Sequence, residues 1–222
     1  MVRARGWLSE AWALVGADLP VFAVAAFLTI TGSLFTGFIL ALPMVAGLCL
    51  MFSEKLQGNR PELAQLWEGL SSRFPAAISI WIIMMLAAIP FDGLNYYLHS
   101  LRGPWPWVGV LAVFAGLWLV YTPLFFAIPL IADRDVSALT AIRLSWSQVR
   151  PRWGGIFFAT ALYSLVMMVG VLACGVGIIL TLPVVVGAQM LAYHELLRDV
   201  EIPQMIPIKD PGTGGGESHE ES

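Results

Sequence analysis

The chain has 222 residues, of which 58% are hydrophobic and only 12% charged, with a net charge of −3. Soluble domains carry about 25% charged residues, so this composition, with a mean hydropathy of +0.78, predicts an integral membrane protein. The acidic pI of 5.6 leaves no electrostatic footprint for nucleic acid, and residues 203–222 alone carry a net −3, with Lys209 against Asp210, Glu217, Glu220 and Glu221.

In chain order, Met1 to Leu19 reads as an amphipathic helix lying in the membrane interface, with Trp7 and Trp12 at headgroup level. Its apolar stripe is Ala11, Trp12, Val15 and Leu19, at helical steps. The apolar run 20–52 is too long for one span, since its 33 residues would make a helix of roughly 50 Å against a ~30 Å hydrocarbon core. Thr31, Gly32, Ser33 and Gly37 are turn residues and predict a hairpin; one long helix is the alternative. Residues 53–74 form a polar connection with a second amphipathic helix, whose stripe is Leu66, Trp67, Leu70 and Phe74. Pro75 to about Pro90 opens the next membrane helix. Phe91 to Pro106 is expected to be an external loop, and Trp107 to Ile131 to return across the membrane. Asp133 to Arg152 holds the third amphipathic helix, with Leu139, Ile142, Trp146 and Val149 on its stripe. Gly154 to Cys174, a turn at Gly175-Val176-Gly177, and Ile178 to Tyr193 form the last hairpin. From Pro203 the composition predicts a disordered acidic tail.

The three amphipathic helices share a spacing. A proline follows each opening leucine by twelve residues: Leu8 to Pro20, Leu63 to Pro75 and Leu139 to Pro151. Proline disfavours helix in the residue before it and suits a first turn, so each helix should break there and turn. The apolar runs also match, 38–56 with 178–196, through Pro43/Pro183 and Gly47/Gly187, with Pro123 and Ala127 in the middle run. The expected fold is therefore all-α: six transmembrane helices as three hairpins, each preceded by a cytoplasmic amphipathic interfacial helix. The repeats cover about 6–56, 61–132 and 137–197 within a membrane domain of 1–202. Arg3, Arg5, Lys55, Arg60, Arg73, Arg134, Arg143, Arg150, Arg152, Arg198 and Lys209 fall on one side and Arg102 alone on the other. Positive-inside bias then places both termini in the cytoplasm. A five-helix topology with 20–52 as one span would move the N-terminus outside.

No ionisable residue falls in the middle of a predicted span, which argues against a proton-coupled pump. Asp133, Arg134 and Asp135 stand where a membrane helix emerges, either as a cytoplasmic mouth that holds a headgroup or as a solvated cap for the next helix. Arg143, Arg150 and Arg152, with Trp146 and Trp153, are candidate lipid-headgroup contacts, at about 1 kcal/mol per basic residue near an anionic surface; setting topology is their other reading. Pro43, Pro123 and Pro183 are expected to kink their helices, as broken helices do beside transporter sites. His194 and Glu195 lack the second histidine of a zinc-protease helix, and read as surface groups. Cys49 and Cys174 lie in apolar runs, so no disulfide, metal or cofactor is expected, and no catalytic constellation is present.

The stretch PLIADRDVSALTAIRLSW, followed by basic residues, Trp153 and a Gly-rich hairpin, resembles a broad group of bacterial multi-pass membrane proteins. These are the YciC-type and related membrane domains, some fused to glycerophosphodiester phosphodiesterases. The resemblance is clearest over 123–197 and fainter over 6–75. It implies a six-helix inner-membrane protein and carries over no catalytic residue. The expectation is a non-enzymatic, membrane-organising module that meets lipids, with a tail free to recruit a protein partner. The alternative is a transporter or permease for an apolar or lipidic solute.

Overall fold

The N-terminal amphipathic segment forms helix α1 (Ala4–Ala17). This computed structural model describes residues 3–100, 105–173 and 176–197; Arg102, Cys174, Gly175, Arg198, Lys209, His219 and the 203–222 tail lie outside them. The elements formed by the described residues are all helices, with no strand among them.

Helix α2 (Leu19–Phe35) leaves α1 at a bend of 103°. Pro20 sits in the first turn of α2, where its missing N–H costs nothing, and it disfavours helix just before it. A turn over 36–40 then leads into α3 (Ala41–Leu56), so 20–52 is two helices and not one. Gly37 (φ 59°) and Phe38 (φ 68°) both take left-handed backbone there, a conformation open to glycine and costly for phenylalanine. Phe22 stacks on Phe52 with centroids 4.5 Å apart, and Gly32 lies against Met44; these crossed pairings make α2 and α3 antiparallel.

Helix α4 (Leu63–Ser71) starts with a reciprocal capping box between Glu62 and Gln65. Helix α5 (Phe74–His99) runs through Pro90 without stopping, which corrects the predicted external loop over 91–106. Phe91, Leu94 and Leu98 continue the helical spacing past the proline. Phe91 packs on Gly116, and Leu98 and Asn95 on Gly109, so contacts with α6 (Trp105–Tyr121) hold the extension. Asp92 therefore lies on a helix, at an exposed position.

A 3-10 turn, Thr122–Leu124, follows α6 and precedes α7 (Ala127–Arg134). Pro123 thus sits at a true break. Pro183 lies inside α10 (Val176–Leu197). Pro43, expected as a kink, is instead the third residue of α3, where a proline interrupts no helical hydrogen bond. Helix α8 (Ala138–Val149) is capped by Ser137, which accepts from the Thr140 amide. At Pro151, where a break and turn were expected, the chain stays helical. A single 3-10 turn, Arg150–Arg152, joins α8 to α9 (Trp153–Leu172), and Ala138–Leu172 forms one stretch of 35 residues. A 3-10 turn tolerates proline at its start, where no partner carbonyl is required.

Among the described residues four helical stretches are long and apolar enough to cross a membrane: Phe74–His99, Pro106–Arg134, Ala138–Leu172 and Gly177–Leu197. Counting the bent α1–α2 pair as one span makes five, against the six expected. The shortfall is one of length, because α2 and α3 have only 17 and 16 residues, about 25 Å each. Large apolar side chains cover the outside: Phe27, Leu86, Phe114 and Leu165 are each more than half exposed. An all-helical bundle with apolar surface on this scale suits lipid rather than water.

Helices α3, α7 and α10 pack together, and each also carries one amphipathic helix: α4 on α3, α8 on α7 and α1 on α10. The buried faces of the amphipathic helices differ from the predicted stripes. Helix α1 buries Ala4, Trp7, Ala11 and Val15; α4 buries Leu66 and Gly69; α8 buries Ala138, Ala141, Ser145 and Val149. The tryptophans Trp12, Trp67 and Trp146 turn outward, at 58%, 57% and 46% exposure, and Leu19 and Leu139 are exposed with them. In lipid, close helix contact selects small residues, while large apolar ones have a second destination outside the protein. Trp7, expected at the headgroups, is fully buried.

Candidate functional site

The polar ends of α3, α7 and α10 converge on one hydrogen-bonded cluster. Ser53 on α3 donates to Asp133 Oδ1 at 2.8 Å. Tyr193 on α10 donates to Asp133 Oδ2 at 2.7 Å. Asp133 lies in the last turn of α7, so a single carboxylate ties three helices together. Arg134 donates from Nε to the Tyr193 hydroxyl at 2.9 Å and from a terminal nitrogen to the Leu197 carbonyl at 2.7 Å, with its guanidinium 5.9 Å from the Tyr193 ring centroid. Ser53, Asp133 and Tyr193 each stand ten residues after a proline: Pro43, Pro123 and Pro183. A cavity of about 480 Å³ opens beside the cluster, lined by Leu56, Gln57, Asp133, Arg134, Tyr193 and His194.

Two residues further on stand Lys55, Asp135 and Glu195, and each is paired. Lys55 pairs with Asp18 and Arg73 with Asp135. Asp18 and Arg73 both lie ten residues after an opening leucine, Leu8 and Leu63, so the two bridges join matching positions with their signs inverted. Glu195 Oε2 accepts from Arg3 at 3.0 Å and from the Trp7 indole at 2.6 Å. Its hydrogen bond and charge, and then the charge of Glu10, raise the Arg3 pKa, which fixes Arg3 as a cation. Exchanging the charges in one bridge, Asp18→Lys with Lys55→Asp, should retain stability, whereas Lys55→Asp alone sets two carboxylates together and lowers it. Thermal unfolding of the two single variants and the double variant reads the coupling.

The same matching positions meet deeper in the bundle. Gly47 on α3 faces the Leu66 backbone of α4, and Gly187 on α10 faces Ala11 of α1; Leu66 and Ala11 each follow an opening leucine by three residues. Gly69 of α4 lies against the Pro43 carbonyl. Ser145 of α8, six residues after Leu139 just as Gly69 is six after Leu63, donates to the Pro123 carbonyl at 2.5 Å and accepts from the Phe126 amide at 3.1 Å.

Among the predicted site residues, Asp133 and Arg134 belong to the network, and Asp135 ends α7 in left-handed backbone (φ 51°). Arg143, Arg150 and Arg152 are exposed, and the rings of Trp146 and Trp153 meet edge to face at 5.9 Å. Pro43, Pro123 and Pro183 are all buried. Sequence reasoning missed Ser53, Tyr193, Trp7 and the partners of Glu195. The count of ten from each proline would have found the first two; nothing local marks Trp7 and Glu195, which are 188 positions apart. Among the described residues no three of His, Cys, Asp and Glu converge to hold a metal ion. Chemically the cluster is a tie, since both oxygens of Asp133 are engaged by hydroxyls. No family model, curated protein or solved structure matches the chain.

Proposed function

We propose that this is a non-enzymatic protein of the bacterial inner membrane that organises or binds lipid through a collar of amphipathic helices. The observation that carries the reading is the outward turn of Trp12, Trp67 and Trp146, because tryptophan is enriched where apolar tails meet headgroups. The exposed Arg143, Arg150 and Arg152 give that collar positive charge. The 103° bend between α1 and α2 supports it too: with α2 upright, α1 lies almost in the membrane plane. The proposed topology is six spans as three hairpins with both termini cytoplasmic, built from three repeats. The matched glycine contacts and the sign-inverted bridges support the repeats. The resemblance to YciC-type membrane domains is in keeping with this architecture. The acidic 203–222 tail is left to recruit a protein partner.

A transporter or permease for an apolar or lipidic solute would need space at the kinking prolines. Pro43, Pro123 and Pro183 are buried instead, and the cavity at Asp133 is lined by none of them. Replacing Arg143, Arg150 and Arg152 together with glutamine is expected to lower retention of the full-length protein on vesicles containing phosphatidylglycerol, while leaving its unfolding temperature unchanged. Binding equal to the parent protein would refute the collar reading.

A further inference from the structure

Two further cavities border α1. One, of about 420 Å³, is lined by Arg5, Leu8, Ser9 and Trp12 of α1, Leu162 and Val166 of α9, and Thr181 and Val184 of α10. Its walls are apolar apart from Arg5, Ser9 and Thr181. The other, of about 300 Å³, is bounded by Arg3, Ala4, Arg5 and Gly6 of α1 and by Gly155 and Phe158 of α9. Arg5 borders both. On α9 the lining residues Gly155, Phe158, Leu162 and Val166 follow steps of three and four, so the two cavities lie along one face of that helix. From Gly155 to Val166 the face is about 16 Å long, roughly half of a ~30 Å hydrocarbon core. That is the depth of one leaflet.

The two arginines at the mouth differ in their partners. Arg3 is held by Glu195 and Glu10. Among the described residues Arg5 enters no ion pair. Arg152 stands three residues before Gly155, at the same end of α9. Two largely apolar cavities along one helix face, with the Arg5 guanidinium where they adjoin, match an amphiphile with an anionic head. A zwitterionic lipid would bring a cation of its own beside Arg5, a neutral one would leave Arg5 without a counter-charge, and a soluble anion would leave the apolar cavity empty.

The geometry points to one anionic phospholipid bound between α1, α9 and α10, its phosphate at Arg5 and one acyl chain along Leu8, Leu162, Val166 and Val184. This rests on the lipid-binding reading above and gives it one defined site, away from Arg143 and Trp146. The test is native mass spectrometry of the full-length protein released from bilayers of phosphatidylcholine with a minority of phosphatidylglycerol. One retained phosphatidylglycerol per chain is expected. Arg5→Gln, an exposed change, should cut the retained fraction about fivefold, which is about 1 kcal/mol, and Arg5→Lys should keep most of it. Val166→Trp should displace the lipid with the charge intact. A double variant, Arg143→Gln with Arg150→Gln, which spares Arg152 at the mouth, should still hold its single lipid even as vesicle binding falls, so the site and the collar fail separately. Equal retention by the parent, Arg5→Gln and Val166→Trp would overturn the site. So would equal retention of phosphatidylcholine, or a graded ladder of lipid adducts with no preferred first one.

Discussion

Gly69→Ala should destabilise the bundle by about 3 kcal/mol, the upper end of what overpacking a core costs. A Cβ at Gly69 would stand 2.6 Å from both the Gly47 Cα and the Pro43 carbonyl oxygen. Those neighbours are backbone, so no rotamer change relieves the overlap. The reciprocal position is as tight, because a Cβ at Gly47 would meet the Leu66 carbonyl oxygen at 2.6 Å and its Cα at 2.7 Å. Here α3 and α4 approach closely, as small residues allow in membrane helices. A loss of 3 kcal/mol corresponds to a fall of about 6–12 °C in unfolding temperature for a chain of this size. Gly16→Ala is the control, since a Cβ there meets nothing within 4 Å and alanine is the better helix former. Unfolding temperatures of the purified proteins in one detergent decide the matter, and a Gly69→Ala protein as stable as Gly16→Ala would refute the close packing.

The elements that were legible are those with local causes. Composition settles an all-helical chain with membrane-compatible spans, because backbone groups in lipid must be satisfied within the segment. Pro20 marks the α1–α2 break, and Gly37 marks the division of 20–52, whereas Thr31, Gly32 and Ser33, expected in the turn, lie within α2. The misjudged elements needed facts from elsewhere in the chain. Pro90 was read as a helix end, but the ring of Phe91 on Gly116 carries α5 past it. The amphipathic stripes marked the apolar side of each helix but not which part of it packs, because hydropathy does not separate protein interior from lipid. Alanine, glycine and serine at Ala141, Gly69 and Ser145 decide which side packs, while Trp12, Trp67 and Trp146 face outward.

The candidate site shows the same division. Asp133 and Arg134 were singled out because charge at the end of an apolar run is conspicuous. Ser53 and Tyr193 are ordinary residues in their own surroundings. They become partners only when 38–56, 118–136 and 178–196 are laid in register on their prolines, which brings positions 53, 133 and 193 into one column. The register extends to Lys55, Asp135 and Glu195, where composition varies and only the fact of pairing recurs. A pair can exchange its signs and keep its geometry, so residue identity is a poor guide here and position a good one.

Asp133→Ala should loosen the polar end of the bundle by about 2–3 kcal/mol. The carboxylate accepts from Ser53 and Tyr193, and hydrogen bonds to charged groups contribute about 1.5–3 kcal/mol each when buried; the partial exposure of Asp133 places the pair of bonds at the low end. Removing it also leaves two hydroxyls on buried residues, Ser53 and Tyr193, seeking partners and leaves the Tyr193 oxygen that Arg134 Nε bonds free to shift away. Tyr193→Phe removes one of the two bonds and the acceptor of Arg134 Nε, while Arg134 keeps the Leu197 carbonyl, and should cost about 1 kcal/mol. Asp133→Asn keeps an acceptor for one hydroxyl and should fall between them. The order matters more than the size: a tie between three helix ends predicts alanine worst, asparagine next and phenylalanine mildest, with the loss confined to the ends of α3, α7 and α10. Hydrogen exchange localised to 50–56, 130–135 and 190–197 reads that directly. Faster exchange spread evenly over the bundle, or an unchanged pattern in Asp133→Ala, would mean that the carboxylate does not hold the three helices together.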